Sequence, residues 1–344
     1  VAILVTGGAG YIGSHTVLAL QRQGYDVVVV DSLVNSSQVA LDRVAELSGV
    51  PVRFHRVDSR DRDALRRVFR ESDIEAVIHI AGLKSVGESV RFPLRYYENN
   101  IGATLSLCEV MEEVGVRRLV FASSATVYGN SGAERLVETM PLAPVNPYGH
   151  TKAMIEQILS DLAQTGGGWQ ISLLRYFNPV GADPSGRIGE DPVGTPANLL
   201  PFVAQVAVGR RPELLVYGDD YDTVDGTGVR DYLHVADVAD GHIAALRELP
   251  PENAAEAFNL GTGRGSTVLE VVAAFEQVSE RRIPYRIAPR RPGDLGTCLA
   301  DPGKAEQQLN WTARRGLLDA CADAWRWQRL NPAGYADSPA DVAT

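Results

Sequence analysis

Ala2–Gly13 reads AILVTGGAGYIG, a short apolar run followed by Gly7, Gly10 and Gly13 at intervals of three. A short apolar run closed by glycine has the pattern of a buried strand, and the following YIGSHTVLALQRQ has apolar positions at helical spacing. Strand, glycine turn and helix in this order make a phosphate cradle. Glycine permits a tight turn and close backbone approach, and the unpaired amides of a helix N-terminus attract a pyrophosphate. The next apolar run, VVVV, ends in Asp31. An acid there accepts the hydroxyls of an adenosine ribose and repels an extra phosphate, which selects NAD over NADP. A plain strand-end turn is the competing role for Asp31. Asp58, ending the third strand in RVDSRD, suits either an adenine contact or a helix N-cap.

Outward from this turn, β-rich runs alternate with amphipathic ones: VVVVD, VALDRVAELS, VRFHRVD, RDALRRVFRES, AVIHIAG, a long helix to about Glu113, RRLVFASS, a helix from Tyr148, and ISLLRYFN. Such alternation predicts an α/β fold, a Rossmann-type doubly wound parallel sheet with helices on both faces. The first domain is expected over 1–178, with 233–260 returning to it. Pro and Gly become dense in NPVGADPSGRIGEDPVGTP, so a smaller mixed α/β domain is expected over 179–344. Helices are expected near Leu199–Val208, Thr267 and Gly316, and a loosely structured tail after Asn331.

The 344 residues carry 33 Lys and Arg against 43 Asp and Glu, a formal net charge of −10. That balance argues against nucleic acid as a partner. Cys108, Cys298 and Cys321 lack disulfide or metal-ligand spacing, which suits a reducing cytoplasm. No metal is expected. No signal-peptide pattern precedes the first strand and no apolar run is long enough to span a bilayer, so no membrane role is expected. The acidic loop DDYDTVDGTG departs from calcium-loop spacing and lacks flanking helices.

In PVNPYGHTKAMIEQIL, Tyr148 and Lys152 stand four apart at the start of a helix. Residues so spaced share a helix face, where an ammonium favours the ionised form of a phenol and makes it a candidate general base. An ordinary tyrosine and a solvated lysine are the alternative.

Taken in order, TGGAGYIGSHT, AGLKSVGES, SSATVYG, NPYGHTK, LLRYFNPVGA, AQVAVGRRPEL and DGTGVRDYLHVAD resemble the extended short-chain dehydrogenase/reductase family. Within it, they resemble the branch that epimerises UDP-hexoses at carbon 4, from about Ile3 to Trp327. The resemblance implies Tyr148 as base, Lys152 as its electrostatic partner and ribose anchor, and Ser124 as hydrogen-bonding or proton-relay partner. Related dehydratases carry acids after the serine, whereas Ala125 and Thr126 stand here, so elimination lacks its proton donor. The implied activity is interconversion of UDP-galactose and UDP-glucose through a 4-keto sugar, with NAD retained throughout.

The resemblance also implies cofactor contacts at Tyr11, Ile12, Asn35, Lys84, Asn99 and Tyr176. Lys84 and Asn99 suit a solvated helix end as the alternative. Ser59 stands where the family commonly has an apolar residue. For a UDP-hexose, the implied pocket is Asn178, Asn198, Leu199, Leu215, Tyr217, Arg230, Tyr232, Arg291, Asp294 and Cys298. Two guanidinium groups suit a diphosphate. Cys298 takes the place of a larger tyrosine in some relatives, leaving room at the hexose 2-position for UDP-GalNAc and UDP-GlcNAc; simple apolar packing is its alternative. A homodimer packed through 98–113 and 148–163 is implied. Other readings are an epimerase or decarboxylase for another UDP-sugar or UDP-uronate, and a non-catalytic NAD-binding redox sensor.

Overall fold

The computed structural model describes residues 1–291 and 294–337. Its strands are β1 (Ala2–Thr6), β2 (Asp26–Asp31), β3 (Arg53–Arg56), β4 (Ile74–His79), β5 (Arg118–Ser124), β6 (Arg135–Leu136), β7 (Gln170–Tyr176), β8 (Asn178–Val180), β9 (Leu214–Tyr217), β10 (Val229–Arg230), β11 (Tyr232–His234), β12 (Ala254–Leu260), β13 (Ser266–Thr267), β14 (Tyr285–Ala288) and β15 (Thr297–Ala300). The helices are α1 (Tyr11–Arg22), α2 (Gln38–Ser48), α3 (Arg62–Glu71), α4 (Val86–Arg91), α5 (Pro93–Tyr96), α6 (Gly102–Val114), α7 (Pro147–Ala163), α8 (Leu199–Ala207), α9 (Val235–Arg247), α10 (Val268–Ser279), α11 (Gly303–Gln308) and α12 (Leu317–Leu330).

Among the described residues, seven strands form one parallel sheet in the order β12-β7-β5-β4-β1-β2-β3. This is a Rossmann-type α/β fold. Strand residues alternate between two cores. Ile3, Val5, Val27 and Val29 join α1, α2 and α9 on one face, whereas Ala2, Leu4, Val28 and Val30 join α3, α6 and α7 on the other. Burial on both faces explains why these strands read as unbroken apolar runs. Each buried valine or leucine contributes about 1.5–3 kcal/mol. The sheet therefore supplies the stability, and the turns at its edge are free to be shaped for a ligand. Strand order reverses between β1 and β4, and in open α/β sheets the crevice outside that reversal is where ligands bind.

The segment after β11 returns to the sheet: α9 buries Val238 and Ile243 in the α1 face, and β12 pairs with β7 over Ala254–Leu260. A separate core gathers α8, α10, α12 and β9 around Val203, Val216, Phe275 and Cys321. Two expectations need correction. The long helix to Glu113 is broken, because Pro93 opens α5 directly after Phe92 closes α4, and Tyr97–Ile101 then winds as a π-helix before α6. The tail is ordered at its start: Gly334–Asp337 forms a 3-10 turn and Tyr335 buries its ring against Trp327 at 4.8 Å. Residues 338–344 of that expectation lie outside the described residues.

Candidate active site

At the end of β1, Gly7 has φ +72°, a left-handed conformation that costs glycine little. A Cβ there would meet the Ala81 nitrogen of the loop after β4 at 2.7 Å, and one at Gly13 would meet the Gly7 carbonyl oxygen at 2.0 Å. Gly10 caps α1 without a side-chain bond, and Tyr11, Ile12 and Gly13 open its first turn, which has no acid. The leading amides remain open to an anion, so the turn fits the pyrophosphate of a dinucleotide.

Asp31 is buried and accepts hydrogen bonds from Ala9 N at 3.0 Å, Leu33 N at 2.9 Å and the Ser36 hydroxyl at 2.8 Å. A carboxylate offers roughly four acceptor sites. Three are used by the glycine turn and the loop after β2, and about one is left over, so the turn role does not preclude a ribose contact. Asn35 lies exposed in the loop beyond it. Asp58 is not the helix cap that its position also allowed. Asp61 caps α3 by accepting from Ala64 N, while Asp58 pairs with Arg60 at 2.7 Å, which holds its carboxyl below the usual range.

The loop after β4 carries Lys84, whose ammonium stands 5.6 Å from the Tyr11 ring centroid and 2.7 Å from Glu190 Oε1. The same oxygen accepts from Asn198 Nδ2 at 2.9 Å. Tyr11 donates to the Gly181 carbonyl at 2.7 Å. Asn99 sits half-buried in the π-helical turn. Its neighbour Asn100, which sequence reasoning passed over, is buried and holds the loop. Its Oδ1 accepts from Leu83 N at 2.8 Å, and its Nδ2 donates to Leu83 O at 3.0 Å and the Thr151 hydroxyl at 3.1 Å. The Asn99-Asn100 doublet was the available signal.

Asn146 caps α7 by accepting from Gly149 N at 2.9 Å, with Pro147 at its first position, so Tyr148 falls in the first turn. Ser124, at the end of β5, lies close enough to Tyr148 to pull the pKa of its phenol down and accepts from the Thr126 hydroxyl at 2.9 Å. Lys152 is buried, its ammonium donating to the Ala122 carbonyl at 2.7 Å. Here the electrostatics differ from the simple expectation. The ammonium stands 6.0 Å from the Tyr148 ring centroid, and desolvation pushes the phenol above its ordinary value against the pull of Ser124. Burial also draws Lys152 down to about 8, opposed by Glu156. Helical spacing placed the two groups on one face, but burial decides their charge. Tyr176, at the end of β7, faces His242 of α9 through its hydroxyl, and burial raises its pKa.

The second set of residues comes from the two small sheets that pair β8 with β11 and β10 with β15, and from β9 and α8. Asn178 opens β8 opposite Tyr232 of β11, and Arg230 of β10 stands opposite Cys298 of β15. Burial raises the phenol of Tyr232. Arg230 reaches Asp294 at 3.6 Å, and the Arg291 guanidinium lies 3.9 Å from the Tyr217 ring centroid. Leu215 and Tyr217 share one face of β9 because strand side chains alternate. Asn198 and Leu199 begin α8. Cys298 packs against the cluster of Val127, Tyr128 and Phe177. Asp231, between the two implied ligands Arg230 and Tyr232, was missed by sequence reasoning. Fully buried, it accepts from Thr262 N, Gly263 N and Ala300 N at 2.8, 2.9 and 3.2 Å, which fixes its neighbours on either side. Its place inside GVRDY was the signal.

A glycine turn open to pyrophosphate, together with a buried ammonium and a phenol on one helix face, suits oxidation of a hydroxyl by a dinucleotide. Comparison with known proteins agrees. The model for the NAD dependent epimerase/dehydratase family matches residues 3–261. A UDP-glucose 4-epimerase of Bacillus subtilis is 58% identical over 334 residues, covering 97% of this chain and 98% of the relative. The crystal structure of UDP-glucose 4-epimerase from Bifidobacterium longum, in complex with NAD+ and UDP, is 51% identical with a TM-score of 0.93, covering 97% of this chain and 100% of that one. A UDP-glucose 4-epimerase from Stenotrophomonas maltophila, with bound NAD and formylated UDP-arabinopyranose, is 50% identical with a TM-score of 0.94, covering 96% and 98%.

Proposed function

The chain belongs to the NAD dependent epimerase/dehydratase family, and from that membership we propose that Ser124, Tyr148 and Lys152 carry its chemistry. The protein is an isomerase that interconverts UDP-galactose and UDP-glucose through transient oxidation at carbon 4. NAD, when bound, would supply a reversible hydride acceptor for carbon 4. The observation that carries the assignment of roles is that two residues at the end of β5 address the pair: the Ala122 carbonyl holds the Lys152 ammonium at 2.7 Å, and Ser124 acts on the phenol of Tyr148.

Tyr148 takes the proton of the 4-hydroxyl as that carbon is oxidised and gives it back afterwards. Ser124 orients the phenol and shares its proton. Lys152, on the same helix face, favours the phenolate by its charge, against the desolvation that raises Tyr148. Gly7, Gly10, Tyr11, Ile12 and Gly13 hold the pyrophosphate, and Asp31 and Asn35 the adenosine ribose. Asp58 would serve the adenine, and Lys84, Asn99 and Tyr176 would make further cofactor contacts. Asn178, Asn198, Leu199, Leu215, Tyr217, Tyr232 and Asp294 line the pocket for the UDP-sugar, with Arg230 and Arg291 on its diphosphate. The division into 1–178 with 233–260 and the remaining chain then separates cofactor from sugar.

A second specificity is proposed on Cys298, in register with Arg230: a side chain smaller than tyrosine at this position would spare space for a 2-acetamido group. Purified protein is to be incubated, without added NAD, with UDP-galactose and UDP-GalNAc separately. Conversion of both supports retained cofactor and the open position. Conversion of UDP-galactose alone rejects the broader specificity, and no conversion even with NAD rejects the role assignment. Cys298→Tyr should suppress the acetamido substrate and spare UDP-galactose.

The assembly proposed is a homodimer. Val90, Phe92 and Leu94 of α4 and α5 expose apolar side chains, Leu94 by 81%, and Leu105 of α6 and Met154 of α7 are also exposed. Sedimentation should show a dimer that Leu94→Asp weakens; a monomeric parent chain overturns this. Three free cysteines suit a reducing, cytoplasmic setting. Among the described residues, no helix is long and apolar enough to cross a membrane.

A further inference from the structure

The last three residues of β5 each address a different residue of α7. The Ala122 carbonyl accepts from Lys152 at 2.7 Å, the Ser123 hydroxyl donates to Glu156 Oε1, and Ser124 acts on the phenol of Tyr148. Tyr148, Lys152 and Glu156 are spaced by four along one helix face, so β5 clamps two turns of α7 in register. Arg175 of β7 closes the arrangement from the other side. It reaches Glu156 Oε2 at 2.6 Å through one amino group and Oε1 at 3.0 Å through Nε. Its remaining amino group donates to the Tyr128 hydroxyl at 2.9 Å and the Glu138 carbonyl at 3.1 Å. The ion pair is buried, with side chains 6% and 4% exposed.

Burying two charges costs several kcal/mol per ion, and apolar replacements of such pairs are often neutral or stabilising. Stability alone is therefore a weak reason for this pair beneath the reaction centre. Lys152 supplies a better one. The titratable groups that act on it or that it acts on are Tyr148 and Glu156 on α7 and His79 on β4; Arg175 of β7 and Tyr128 after β5 reach Glu156 or one another rather than the ammonium. Burial keeps His79 neutral, and Lys152 lowers it further. Among the described residues, Glu156 is the carboxylate that acts on the Lys152 ammonium, and it opposes the desolvation that draws that ammonium down to about 8.

We propose that Glu156, fixed by Ser123 and Arg175, is a positioning residue for the reaction: it holds Lys152 in its charged form and through it favours the phenolate of Tyr148. This rests on the reading of Tyr148 and Lys152 as the proton-handling pair. Arg175 is the direct ion-pair partner of Glu156 at 2.6 Å and so weakens, without abolishing, the pull of that carboxylate on Lys152.

The test is the pH dependence of kcat for the NAD-loaded enzyme, with thermal unfolding followed in parallel. The high-pH limb reports loss of the Lys152 proton. Glu156→Gln leaves Arg175 unpaired, and the limb should move down by about one unit, the size expected when a nearby opposite charge is lost. Arg175→Gln should not move it down. The double variant E156Q/R175Q leaves no unpaired charge and should give a smaller downward move, with Tm nearer that of the parent than in either single variant. If the single variants fail to fold, the double variant decides alone: an unmoved limb overturns the proposal. A limb moved equally by both single changes, or a uniform loss at every pH, also overturns it, leaving packing as the role of the pair. Tyr148→Phe is the separate control: turnover retained in that variant overturns the underlying reading, whatever Glu156 does.

Discussion

Lys152 is 5% exposed and its ammonium is seated on a strand carbonyl at 2.7 Å, whereas Arg230 is held at 3.6 Å from Asp294, with their side chains 22% and 38% exposed. The first rests its ammonium on the end of a strand of the large parallel sheet, and the second lies on β10 of the small four-stranded sheet. Buried groups with fixed partners need little rearrangement when charge develops, which suits proton handling. Half-exposed arginines gain their full interaction only when an anionic ligand displaces water, which suits recognition. The contrast implies that damage at the sheet edge lowers kcat, whereas damage at the arginines raises KM.

The strongest challenge to this division is Tyr148→Phe. Loss of a positioned acid–base group costs about 10²–10⁴ in rate, so kcat should fall by that much while the purified variant still carries its NAD. A fall in NAD content with kcat per bound cofactor unchanged would turn Tyr148 into a binding residue and erase the contrast.

Arg291→Ala tests the other end. A hydrogen bond to a charged group is worth about 1.5–3 kcal/mol, so KM for UDP-galactose should rise by roughly 10- to 150-fold with kcat little changed. Equal losses in kcat and kcat/KM would mean that Arg291 acts only in the transition state, and recognition would no longer separate from chemistry.

Acid sharpens the comparison through stability. His79 and His242 lie buried against the sheet, and desolvation lowers them to about 3 and about 4. The unfolded chain therefore binds more protons below about pH 6.5, and stability falls as pH falls through the window between that value and the folded values. At pH 5 each histidine should cost on the order of 2 kcal/mol relative to pH 7. Urea midpoints at the two pH values measure the loss, and His79→Gln should reduce it; an unchanged slope would mean that His79 is not held neutral by burial.

Sequence and structure agree best where a local pattern has a single physical solution. AILVT followed by three glycines specifies strand, turn and helix because few other residues tolerate the contacts at Gly7 and Gly13. Asp58 shows the opposite case: a cap and a cofactor contact were equally compatible with RVDSRD, and only the coordinates assign the cap to Asp61. Asn100, Glu190 and Asp231 escaped notice because their work is to hold residues distant in sequence. The long helix before Val114 was over-read because apolar spacing persists across Pro93 even though the backbone does not.

By itself the sequence determined the parallel sheet, the glycine cradle, and the common helix face of Tyr148 and Lys152, since strand burial, turn geometry and helical period act over a few residues. Only the tertiary structure decided that Lys152 is desolvated, that Ser123, Glu156 and Arg175 meet beneath it, and that Arg230 stands beside Cys298. Those facts depend on which distant segments exclude water from one another, and no local pattern encodes that exclusion.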